Sequence, residues 1–87
     1  MLITLAMVAH LAPPAAFDHE PTRPYEVLRL DAAMAQAFCD REPGEKLMLG
    51  CSFEKSRTIY IRGGLAPEVE AIVLRHEKAH LNGWVHP

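Results

Sequence analysis

The chain has 87 residues, 49% of them hydrophobic, and a formal net charge of -2 at neutral pH. That length allows one small domain, whose core buries a smaller share of its surface than a chain of about 150 residues would, so a metal ion or a disulfide would add materially to its stability. The near-neutral balance supplies no basic field, which excludes nucleic acid and an anionic membrane surface as partners.

The first sixteen residues, MLITLAMVAHLAPPAA, hold an apolar run over 2–12 followed by the small residues Ala15 and Ala16, the outline of a signal peptide, although no Lys or Arg precedes the run and His10 interrupts it. The run is too short to cross a bilayer as a helix, so no stable membrane span is expected. FDHEPTRP, over 17–24, is polar and carries two prolines, the composition of a linker. Residues 1–24 thus read as a signal peptide or an irregular lead-in, and 25–87 as the domain. Removal of 1–16 would make the protein exported or periplasmic; without it the protein is cytoplasmic.

YEVLRL, over 25–30, predicts a short strand. Asp31 is placed to cap the helix that AAMAQAFC favours, two or three turns ending near Cys39, before DREPGE breaks it at Pro43 and Gly44. KLMLGCSF (46–53) and RTIYIR (57–62), separated by EKS, predict an antiparallel hairpin. Its second strand points Ile59 and Ile61 to the core and Thr58, Tyr60 and Arg62 to the other side. Gly63 and Gly64 end it. Pro67 then opens a helix whose first turn carries Glu68 and Glu70, where carboxylates complement the helix dipole. The order strand, helix, hairpin, helix predicts an α+β domain, a small three-stranded antiparallel sheet packed against the C-terminal helix and a shorter first helix. Cys39 and Cys51 lack CxxC spacing; in an exported chain they pair across the intervening turn, and in a cytosolic one they are buried free thiols.

Three of the five histidines fall in the last twelve residues, where about two would be usual in the whole chain. On a helical wheel His76 and His80 lie within about 20° of Val69, in the centre of the apolar stripe, and Glu77 lies at its edge. Inward imidazoles are costly without partners, and a metal ion is one such partner. Residues four apart project from adjacent turns, so His76 and His80 can hold one Zn²⁺, with Glu77 beside it to take a proton from water bound to the metal. Asn82 and Gly83 stop the helix and turn the chain, which brings His86 back as the third ligand and leaves the fourth position open, as in catalytic zinc sites.

HEKAHLNGWVH, over 76–86, resembles the HExxHxxGxxH signature of the metzincin clan of zinc peptidases at His76, Glu77, His80, Gly83 and His86. The resemblance covers eleven residues. It implies three histidine ligands, Glu77 as general base and Gly83 as the residue that permits the turn. Metzincins are longer and set a methionine turn downstream of the third histidine, and no methionine follows His86 here. The chain looks more like a minimal zincin-type module, similar to short bacterial proteins that end in an HExxH helix followed by Gly-Trp. The expected function is a small zinc-dependent hydrolase, a metallopeptidase acting on a peptide or protein.

Other readings compete. A zinc ion that only staples the fold, closed by Cys51, Asp40, His19 or the terminal carboxylate as fourth ligand, would make the chain a non-catalytic module that binds a partner. His80 and His86 without metal would be helix-dipole partners near a C-terminus. Trp84 reads as an anchor for the turn rather than a substrate contact. Tyr60, Arg57 and Arg62 read as a solvated face rather than electrophilic helpers, and His10 and His19 as residues without a role. In zincins an edge strand pairs with the substrate backbone, and strand 57–62 would do so here if it lies at an edge.

Overall fold

The computed structural model of the chain describes residues 12–39 and 49–85. The expectations for the apolar run and His10, for Asp40, Pro43, Gly44 and the start of the 46–53 strand, and for His86 therefore lie outside the described residues. A 3₁₀ turn, Ala15–Phe17, precedes β1 (Glu26–Leu30), α1 (Ala32–Cys39), β2 (Gly50–Phe53), β3 (Thr58–Arg62) and α2 (Pro67–Leu81). The α+β class and the element order agree with the sequence.

The sheet is mixed, not wholly antiparallel as expected. β3 pairs antiparallel with β2 and parallel with β1, giving the order β1-β3-β2. Gly50 opens β2 level with Ile61, and so does Arg29 near the end of β1, so the chain enters β2 at the end of the sheet where β1 finishes. An order with β2 in the middle would have made every pair antiparallel; inserting β3 between the others makes it parallel to β1. Burial favours the insertion. β3 is the most covered strand, with Ile59 and Ile61 fully buried and Thr58 nearly so, whereas Glu26, Leu28 and Arg29 of β1 are exposed, as suits an edge. β3 is thus central, which removes it as a strand to which a peptide could be added.

Helices cover both faces. Val27, Arg29, Gly50, Ser52, Ile59 and Ile61 share the face under α2, where Ile61 packs with Val69 and Val73. Arg29 pairs with Glu70 across the same contact. Burying each such aliphatic side chain stabilises by about 1.5–3 kcal/mol. On the other face Phe38 of α1 stacks on Tyr60 at 5.1 Å, and a disulfide joins Cys39 to Cys51 with 5.6 Å between Cα atoms. Tyr60 is therefore half-buried under α1, not solvent-exposed as the alternation alone suggested. Asp31 caps α1, its Oδ1 accepting from the Met34 N–H at 2.8 Å.

Residues 17–24, linker-like in composition, lie along the outer side of α2. Asp18 pairs with Arg75 and Glu20 with Lys78, and the Asn82 side-chain amide donates to the carbonyls of Phe17 (2.9 Å) and His19 (2.8 Å). Its polar residues are the partners of the polar side of the helix. Arg57, in the left-handed region at φ 53°, donates to the carbonyls of Leu81, Pro24 and Arg23, so it ties the lead-in to the end of α2 and is not part of a solvated face. Among the described residues no helix is long and apolar enough to cross a membrane.

Candidate metal centre

α2 starts where the sequence places it, with Pro67 in the first turn and Glu68 and Glu70 behind it. Its inward stripe runs Val69, Val73, His76, Glu77, and all four are buried. Glu77, expected at the edge of this stripe, is buried within it, and His80, expected at its centre, is half-buried, because the Nε2 of His80 reaches across to His76 from the helix's last turn.

The helix ends in a Schellman turn. The Trp84 N–H donates to the Ala79 carbonyl at 3.1 Å and the Gly83 N–H to that of His80 at 3.0 Å, with Gly83 at φ 103°. A side chain at that φ would be strained, so the glycine is what permits the reversal. The turn brings Trp84 back over the histidines: its ring stacks on His80 at 4.8 Å and meets His76 edge-on at 4.9 Å. Trp84 anchors the turn as expected, and it does so on the two candidate ligands themselves.

His76 Nε2 and His80 Nε2 lie 3.1 Å apart. His80 Nδ1 sits 2.7 Å from the Trp84 carbonyl oxygen. A carbonyl only accepts, so Nδ1 carries the proton and the lone pair of the neutral ring is on Nε2, directed at His76. Two nitrogens each about 2.05 Å from one zinc ion at a tetrahedral angle would be about 3.3 Å apart. The spacing suits a shared proton or a shared metal ion, and the bond from Nδ1 to a carbonyl is the outer contact that metal-binding imidazoles make.

Glu77 is 7% exposed and points at β2, where the Ser52 hydroxyl donates to its Oε1 at 3.0 Å. Gly50, two residues before Ser52, marks a close approach of helix and strand: a Cβ there would meet Val73 Cγ1 of α2 at 2.8 Å and the Tyr60 carbonyl oxygen of β3 at 3.1 Å. Neither residue stands out in the sequence, since a serine and a glycine in a short strand acquire meaning only from the helix laid across them. Trp84 had a signal, being four residues after His80.

The other proposed ligands fare unequally. Cys51 is bonded to Cys39, so no thiolate is available, and β2 turns its side chain to the α1 face. His19 is exposed, bonded to the neighbouring Glu20 carbonyl, and shares a surface pocket with Ala71, Leu74, Arg75 and Lys78 on the side of α2 away from His76 and His80. Among the described residues no group of three His, Cys, Asp or Glu side chains is placed to hold a metal; two imidazoles converge, and His86 lies outside those residues. No known family, curated protein or solved structure matches the chain.

Proposed function

We propose that the chain is a small zinc-dependent hydrolase of the zincin type that cleaves a peptide or amide bond, with His76, His80 and His86 as ligands and Glu77 as general base. The convergence of two imidazole Nε2 atoms at 3.1 Å carries this reading, since it matches the spacing that two ligands of one zinc ion require. The His80 bond to the Trp84 carbonyl supports it, and the disulfide removes thiolate from the possible donors.

Zinc held in such a site polarises a carbonyl and lowers the pKa of water towards about 7. The chain's own residues do the rest. Glu77 accepts a proton from the attacking water as the new C–O bond forms, then gives it to the amine as the C–N bond breaks, and so ends ionised as it began. Trp84 covers one side of the histidines and limits the water that reaches them. The disulfide favours an oxidising compartment, in line with export.

A non-catalytic zinc-stabilised module that binds a partner is favoured by one observation, the burial of Glu77 against Ser52, which would also serve simply to tie α2 to β2. Against it, the fold already has a covalent staple joining α1 to β2. The two readings separate when the protein is purified with and without chelator, its zinc counted, and the parent compared with Glu77→Gln on a peptide library. The hydrolase binds zinc in both forms and cleaves only as the parent. Zinc in both with cleavage by neither sinks the enzyme reading.

A further inference from the structure

We infer that Ser52 is a positioning residue for the general base, orienting the Glu77 carboxylate through its hydrogen bond to Oε1, and that Gly50 sets the separation of strand and helix at which this bond forms. The inference rests on the hydrolase reading and assigns β2 a part in the chemistry.

Side chains alternate between the two faces of β2. Along Gly50, Cys51 and Ser52, the first and third residues face α2 and the second faces α1. The disulfide therefore fixes β2 from the side opposite the site, and Ser52 inherits a fixed position under Glu77. Because Gly50 has no Cβ, α2 lies close enough to β2 for a short hydroxyl to reach the carboxylate at 3.0 Å. The terminal torsion of a glutamate is otherwise broad and two-fold. A donor fixed on Oε1 sets the carboxylate plane, and with it the direction in which the second oxygen meets water. A hydroxyl does this without placing a cation beside the base, which a Lys or Arg partner would.

The test compares the full-length parent with Ser52→Ala and Ser52→Thr, each loaded with zinc and counted for metal, on whichever peptide the parent cleaves. Ser52→Ala is expected to keep its zinc, hold KM within about twofold and lose about ten- to a hundredfold in kcat, as misplacement of a catalytic group does, while Ser52→Thr restores most of it. A second readout needs no turnover: high-resolution crystal structures of the metal-free protein are expected to show one orientation of the Glu77 carboxylate in the parent and in Ser52→Thr, and more than one in Ser52→Ala. An active parent with Ser52→Ala equal to it in kcat, or with Glu77 equally ordered, overturns the positioning role and leaves the hydrolase standing. A zinc-loaded parent that cleaves nothing overturns the hydrolase and this role with it.

Discussion

Substitution of Gly50 by alanine tests how closely α2 is laid on the sheet. The added Cβ would lie 2.8 Å from Val73 Cγ1 and 3.1 Å from the Tyr60 carbonyl oxygen. Carbon atoms settle at about 3.5–4.0 Å, so at least about 0.7 Å must be found along the first line. Val73 cannot rotate aside, because valine in a helix has one strongly preferred χ1, and the carbonyl belongs to the central strand. The helix must lift. Overpacking of this kind costs about 1–3 kcal/mol, against which alanine recovers about 0.4–1 kcal/mol by restricting the unfolded chain. The net loss of about 1–2 kcal/mol corresponds to a fall in Tm of about 5–15 °C for a domain of this size. The same lift stretches the 3.0 Å bond from Ser52 to Glu77, so any hydrolytic activity falls further than the lost stability alone explains. Thermal melts followed by circular dichroism measure the first effect. A Gly50→Ala protein that melts at or above the parent temperature refutes the close approach of helix and strand.

Two further outcomes concern the rest of the fold. The disulfide closes a sequence separation of 12 residues, so replacing Cys39 and Cys51 with serine is expected to cost about 3 kcal/mol in urea unfolding; an unchanged midpoint would remove its structural role. Arg75 holds the Asp18 carboxyl below its ordinary value, Tyr25 and Lys78 do the same for Glu20, and Arg29 for Glu70, chiefly through hydrogen bonds to the ionised form. Each is deprotonated more readily folded than unfolded, so its contribution is complete above the ordinary carboxylate values of 3.8 and 4.5 and disappears as pH falls through the lower folded values. All three are surface groups and the effect is small. Carboxyl chemical shifts should titrate below those values in the parent, and Asp18 should return to its ordinary value in Arg75→Ala; an unmoved Asp18 contradicts the pairing.

The last helix was the most legible part of the chain, because its signals are local. Pro67, Glu68 and Glu70 mark the start, a 3.6-residue stripe sets the inward face, and Asn82 with Gly83 marks the end. The hairpin was legible for the same reason, from the alternation of Ile59 and Ile61. The direction of β1 was not, since the parallel pair depends on β3 settling between β1 and β2, a choice made by comparative burial of strands far apart in sequence. The cover over Tyr60 is not legible in the sequence, because alternation gives the face of a strand and not what lies over it, which here is α1. Likewise the histidine pair could be read from its spacing of four, but Ser52 and Gly50 could not, because their contacts cross 25 and 23 residues of chain. The polar lead-in looked like a linker until its charges met Arg75 and Lys78 on the outer side of α2.

The proposed zinc centre has imidazole ligands and an open position. X-ray absorption at the zinc edge, on protein loaded with one equivalent of zinc, reads the ligand set directly. Three imidazole nitrogens and one light atom from solvent at about 2.0–2.1 Å, with His80→Ala losing the metal, is the result expected. A sulfur ligand near about 2.3 Å, a sphere closed by four protein ligands, or stoichiometric zinc retained by both His76→Ala and His80→Ala would contradict it.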